Sequence, residues 1–283
     1  MGKLWTFGDS FTEGHGCNYG VNNNFSNINK NSYYYKKYGE YIDFNKKIWP
    51  ELLSDLLNLE LVNLGRNGLS NEWIADNIIT NIKKISVNDI VILQTSTSGR
   101  YDFPFLKEKS ILGSPKNGES IKDYIVNTND SPYFFKTIFV SNIEPDWDIT
   151  MKDTLRFINV QENLNDKELV LNESKYNLIR DFFGEFISTE KYYERSVWRI
   201  VELSNVLSLM GIKNYIINES KWPEYLNKPY NLIEMDSNGI QGYILKNKKT
   251  ILHESFGKID DTHPGYSGHI SIADMIIKFI ENE

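Results

Sequence analysis

Leu4-Trp5-Thr6-Phe7-Gly8-Asp9-Ser10 is the stretch that decides the fold. Its apolar residues read as a short buried strand, and Gly8 and Asp9 end it. Ser10 is therefore expected at the carboxyl end of a sheet, where open α/β folds hold their ligands. A hydroxyl there has chemical use once a base can reach it, and Asp260-Asp261-Thr262-His263-Pro264, near the other end of the chain, offers one. His263 can take a proton, and Asp260, earlier in the same turn, can hold the imidazole in one tautomer. That is the nucleophile, base and orienter logic of acyl transfer.

Outward from this strand the pattern alternates. A helix is expected from Trp49, with Pro50 suited to its first turn and Trp49, Leu52, Leu53, Leu56 and Leu57 as its apolar stripe. A second strand, Leu59 to Leu64, leads into Asn63-Leu64-Gly65-Arg66-Asn67-Gly68. Ser70 or Asn71 can cap the next helix, which carries Ile74, Ile78, Ile82 and Ile85, and Asp89 to Leu93 reads as a third strand. Strand, helix, strand, helix, strand is the rhythm of a parallel sheet covered by helices on both faces, a three-layer α/β/α architecture.

Residues 101–187 break that rhythm with Pro104, Pro115 and Pro132 and with clusters such as Tyr133-Phe134-Phe135. A segment this long is too large for a plain connection and is expected to be a partly helical cap inserted into a single domain spanning 1–283. Ser188 to Met210 then reads as a helix with Tyr193, Val197, Ile200, Val201, Ser204 and Leu207 on one face and Gly211 as its stop. Asn214 to Asn218 is the next strand, and Gly242 to Leu245 and Thr250 to His253 are expected as short strands. A last helix follows, capped by Ser267, with Ile270, Ala273, Ile276, Ile277 and Ile280 toward the core.

The block ending in Ser10, the block Asn63 to Gly68, and Asp260 to His263 occur in the order that resembles the SGNH (GDSL) hydrolase family. The resemblance covers the two ends and the first part of the chain. It implies a flavodoxin-like parallel sheet, Ser10 as nucleophile, His263 as general base and acid, and Asp260 as its orienter. It also assigns the backbone N–H groups of Ser10 and Gly68 to the oxyanion hole. One block departs from the family pattern: after the third strand the family carries Gly-x-Asn-Asp, whose asparagine donates to the oxyanion, and this chain reads Gln94-Thr95-Ser96-Thr97-Ser98-Gly99-Arg100. Loss of one such donor costs on the order of 100- to 1000-fold in rate, so either a hydroxyl of Ser96, Thr97 or Ser98, or the Arg100 guanidinium, replaces it, or turnover is slow. Replacement is the expectation. Asp9 and Arg100 are the candidate substrate contacts; the planar fork of Arg100 suits an anionic group, against the plainer reading of a surface arginine paired with an acid.

With 283 residues, 40% of them apolar and 13% aromatic, the chain can bury a sizeable core. A formal charge of −7 without a basic cluster argues against a nucleic-acid partner, and no stretch has the roughly 20 apolar residues of a membrane span. No leader pattern precedes the first strand, and the single cysteine, Cys17, fits a reducing compartment, so a cytoplasmic location is expected. No cofactor or metal is expected: a phosphate-binding Gly-Lys-Ser/Thr is absent, and His15, His253, His263 and His269 share no ligand spacing with acids. His269 lacks an acid three residues before it and reads as structural. The polar segment 12–47, with Tyr33, Tyr34, Tyr35 and Tyr38, suits a sugar better than a long acyl chain. The sequence therefore points to a serine esterase acting on a short-chain, carbohydrate-linked O-acyl ester. Transfer of the acyl group to a glycan hydroxyl is the first alternative, and a non-catalytic binding protein of the same fold is the second.

Overall fold

The computed structural model describes residues 2–14, 46–66, 69–97, 100–106, 133–140, 155–157, 189–250 and 263–282. Strand β1 (Lys3–Phe7) is followed by a single helical turn, α1 (Ser10–Glu13), then α2 (Trp49–Leu57), β2 (Glu60–Asn63), α3 (Asn71–Asn81) and β3 (Ile90–Thr95). Three further strands, β4 (Arg100–Leu106), β5 (Tyr133–Val140) and β6 (Leu155–Phe157), precede α4 (Thr189–Leu209), β7 (Lys213–Asn218), β8 (Leu232–Ile233), α5 (Gly239–Lys246) and α6 (Tyr266–Glu281). The main sheet has five parallel strands in the order β2-β1-β3-β7-β8. Ranked along the chain, that is the flavodoxin-like arrangement, in which connections leave β1 toward opposite edges and open a crevice at the carboxyl ends of β1 and β3. Ser10 and Ser96 follow those two ends.

Side-chain alternation splits the core into two layers. Trp5, Phe7, Val91, Leu93 and Ile216 pack with Ile74 and Ile78 of α3 and Val197, Ile200 and Val201 of α4. Leu4, Ile92, Tyr215 and Ile217 face the other way, against Trp49 and Leu53 of α2, Ile240 and Ile244 of α5, and Ile272 and Ile276 of α6. Each fully buried aliphatic contributes about 1.5–3 kcal/mol of transfer free energy, so the period of two in the strands and of 3.6 in the helices fixes which helix lies on which face. The expected buried face of α4 is as read, from Tyr193 to Leu207, and Gly211, at φ 75, ends that region in the left-handed conformation.

Several expectations are corrected. Gly242 to Leu245 lies in a helix, not a strand, because Ile240 and Ile244, four apart, both reach the core. Leu232–Ile233 pairs with β7 as the sheet edge instead. Thr250 makes one antiparallel bridge to Pro264, and 251–253 lie outside the described residues. The last helix is capped by Gly265 rather than Ser267, whose carbonyl accepts the Ser271 hydroxyl within the helix at 2.9 Å. Its buried face runs through His269, Ile272, Ala273 and Ile276, and Ile270 is exposed. Leu56 also points outward, 57% exposed. Of the expected cap at 101–187, the described residues form an antiparallel three-stranded sheet, β4-β5-β6, and the rest of the segment lies outside the described residues.

Candidate active site

Ser10 opens α1 immediately after β1, and Asp9 caps that turn. The Oδ1 atom of Asp9 accepts the Phe11 N–H at 3.1 Å, and its carbonyl accepts the N–H groups of Thr12 and Glu13 at 3.1 and 2.9 Å. The turn closes on Gly14 at φ 86, and a Cβ there would lie 2.3 Å from the Ile48 side chain. Both facts demand glycine. His263 arrives from the far end of the chain, just before α6, and its Nε2 lies 2.9 Å from Ser10 Oγ across 253 positions. Its ring also rests on Phe11, with centroids 5.3 Å apart and planes tilted by 35°.

Behind the serine lies a polar network that sequence reasoning did not anticipate. Gln94 Nε2 donates to Asp9 Oδ1 at 2.6 Å, Ser96 Oγ donates to Asp9 Oδ2 at 3.0 Å, and Thr12 Oγ1 donates to Gln94 Oε1. Asp9, Thr12, Gln94 and Ser96 are all fully buried. Buried polar groups need partners, and this set supplies them to itself. The signal was Gln94, a polar residue inside an otherwise apolar strand. Asn71 anchors the exit of β3, its Oδ1 accepting the Ser96 N–H at 2.7 Å and its Nδ2 donating to Ser196 Oγ at 3.1 Å. Asn63 bridges β1 and α1: it accepts from Thr6 Oγ1 at 3.0 Å and donates to the Thr12 carbonyl at 2.9 Å.

Two residues expected at the site, Asp9 and Ser96, bond to each other in the interior. Asp9 faces the interior and braces the turn that carries Ser10. The Ser96 hydroxyl is directed to Asp9 rather than toward an oxyanion. Thr97 is half-buried beyond the end of β3. Gly68, Ser98 and Asp260 lie outside the described residues, and Arg100 is described only as the first residue of β4.

No protein-family model matches the chain, and no curated protein matches it by sequence. Among solved structures it is similar to a member of the lipolytic protein G-D-S-L family from Veillonella parvula DSM 2008. That likeness has 11% identity, covers 100% of both chains and gives a TM-score of 0.37. The chemistry of the site is read from its own residues.

Two more titratable groups lie near these elements. Tyr193, assigned from sequence only to the core face of α4, brings its hydroxyl to 3.1 Å from Ser220 Oγ after β7. Burial, with the nearby charges of Glu219 and Asp9, pushes that hydroxyl up to about 12, so it remains a proton donor at neutral pH. His269 is completely buried on α6, as its structural reading implied. Its Nδ1 accepts the Trp49 N–H at 3.3 Å, which puts the ring proton on Nε2. Burial, with His263 nearby, lowers its pKa to about 3, so it stays neutral and serves as an acceptor. Among the described residues no group of three or more His, Cys, Asp or Glu could hold a metal ion, and no helix is long and apolar enough to cross a membrane.

Proposed function

We propose that the protein is a serine esterase of the SGNH type, cleaving a short-chain O-acyl ester on a carbohydrate. The observation that carries this reading is the 2.9 Å approach of His263 Nε2 to Ser10 Oγ. In the proposed reaction His263 accepts the Ser10 hydroxyl proton as Oγ attacks the ester carbonyl carbon. The tetrahedral intermediate collapses, the alcohol leaves with that proton, and an acyl-enzyme remains. Water then attacks the acyl carbon, its proton passes through His263, and the acid departs with Ser10 restored.

Three of the first four N–H groups of α1, those of Phe11, Thr12 and Glu13, are taken by Asp9. That supports assigning the Ser10 N–H to the oxyanion, with the Gly68 N–H as its companion and Asp260 as the orienter of His263. With Ser96 committed to Asp9, the third donor falls to Thr97, Ser98 or Arg100. The carbohydrate part of the reading rests on the tyrosine-rich sequence between Ser10 and Trp49. On the same reading, residues 101–187 form a cap inserted into one domain.

The test is hydrolysis of p-nitrophenyl acetate by the parent chain and by Ser10→Ala. Turnover should fall by a factor on the order of 10⁴ or more, and a fluorophosphonate should label Ser10 of the parent in a one-to-one adduct. Equal rates in the two proteins would overturn the proposal, and an unlabelled parent would favour a binding protein.

A further inference from the structure

The turn that carries Ser10 spans only four residues, too few for helix cooperativity to hold it in place, and the last carbonyls of a helix need partners from outside its own ladder. The Phe11 carbonyl is one of these, and the indole Nε1 of Trp49 donates to it at 3.0 Å. Trp49 is fully buried, so no water can stand in for that donor. The backbone N–H of the same residue belongs to the first turn of α2, where no intrahelical acceptor exists, and it goes to Nδ1 of His269 at 3.3 Å. His269 sits in the first two turns of α6, and His263 lies directly before that helix. The Phe11 ring in turn lies against the His263 ring. Gly14 brings the end of the same turn onto Ile48, the residue before Trp49. These contacts, with the chain segment from His263 to His269, therefore close a ring from Ser10 through Phe11, Trp49 and His269 back to His263.

We propose that Trp49 is a positioning residue for the Ser10–His263 pair: its indole N–H fixes the nucleophile turn, and its backbone N–H fixes, through His269, the segment that delivers the base. Trp49 touches neither substrate nor reacting atoms. It acts by setting where Oγ and Nε2 stand relative to each other, a distance to which acyl transfer is steeply sensitive, since misplacement by about 1 Å costs on the order of 100-fold. This inference rests on the esterase reading above.

Trp49→Phe keeps one buried aromatic ring and removes the indole donor together with the second ring. Its fluorophosphonate labelling rate at Ser10, and its kcat on p-nitrophenyl acetate per titrated active site, should fall about tenfold or more at temperatures well below unfolding, with KM within about twofold. His269→Leu should slow labelling in the same way, and His269→Asn, whose amide oxygen replaces the Nδ1 acceptor, should restore most of the rate. Variants that unfold at lower temperature yet label at the parent rate per folded molecule would make Trp49 a structural residue and overturn the proposal. Where Trp49→Phe does not fold, the two His269 variants decide the matter by the same readout. A parent chain that does not label at all would remove the Ser10 reading itself, a result distinct from selective loss in the variants.

Discussion

Two buried aspartates stand at opposite ends of the central sheet and do similar chemistry to different ends. At the amino end, Asp89 accepts the Lys3 N–H at 2.8 Å, the Trp5 indole at 3.0 Å and the Ser86 N–H at 2.9 Å, tying β1 to the loop before β3. At the carboxyl end, Asp9 accepts Phe11 N–H, Gln94 and Ser96, tying the turn after β1 to β3. Both satisfy a network, and both join the same pair of strands. Only Asp9 is adjacent to the proposed nucleophile. In a parallel sheet the carboxyl ends hold the crevice, so the same kind of carboxylate braces the fold at one end and the candidate chemistry at the other.

Substitution separates the two. Asp9→Ala should give the largest effect: three donors lose their acceptor in a fully buried site, costing about 4 kcal/mol in urea unfolding, with Ser10 labelling lost even in the folded fraction. Asp89→Ala should cost about 2–3 kcal/mol by the same measurement while labelling per folded molecule stays at the parent level. A loss of labelling in Asp89→Ala would break the contrast between the ends.

Acid titration sharpens it. The unfolded chain protonates His269 near 6.5, whereas the folded chain, in which burial holds it neutral, does so only near about 3. The unfolded state therefore takes up more protons, and stability falls as pH drops from above 6.5, by about 2 kcal/mol at pH 5. His269→Asn should flatten that slope in thermal unfolding. Burial pulls the Asp89 carboxyl upward, but the Ser86 and Lys3 N–H groups and the Trp5 indole more than offset this, so it sits below its ordinary 3.8. Its contribution is present above that value and is lost as pH falls toward the lower folded pKa, so Asp89→Asn should lower stability by a constant amount above about pH 4 and remove the part of the slope below it. The smallest effect is expected at Ser70, whose hydroxyl accepts the Trp73 N–H at 3.1 Å as the cap of α3. Ser70→Ala should cost about 1 kcal/mol and leave labelling unchanged.

Much of the parallel sheet was legible because its strands are buried on both faces and read as continuous apolar runs. The face of α4 was equally clear from periodicity, as was that of α3 through Ile74 and Ile78, but Ile82 and Ile85, read as part of the same helix, follow its end at Asn81. Gly242 to Leu245 was misread because a short apolar run beside a glycine suits a strand or a helix, and only the core packing of Ile240 and Ile244, four apart, decides. Ser267 was misread as a cap for a related reason, since a serine near a helix start is as compatible with its first turn as with its boundary. At the site, Ser10 and His263 were found through chemistry-bearing motifs. Thr12 and Gln94 carry no motif, Asn63 was read only as the start of its block and Asn71 only as a helix cap, and all four matter through partners distant in sequence.

By itself the sequence set the order of the first three strands and the helices between them, the serine that follows β1 and the histidine that precedes the last helix, because local periodicity and turn chemistry act over a few residues. The tertiary structure alone decided that Ser10 and His263 lie within a hydrogen bond of each other, that Asp9 turns inward, and that Trp49 stands between the two ends of the chain. Those outcomes depend on which faces the sheet and helices bury against one another, and burial is a property of the whole fold rather than of any segment.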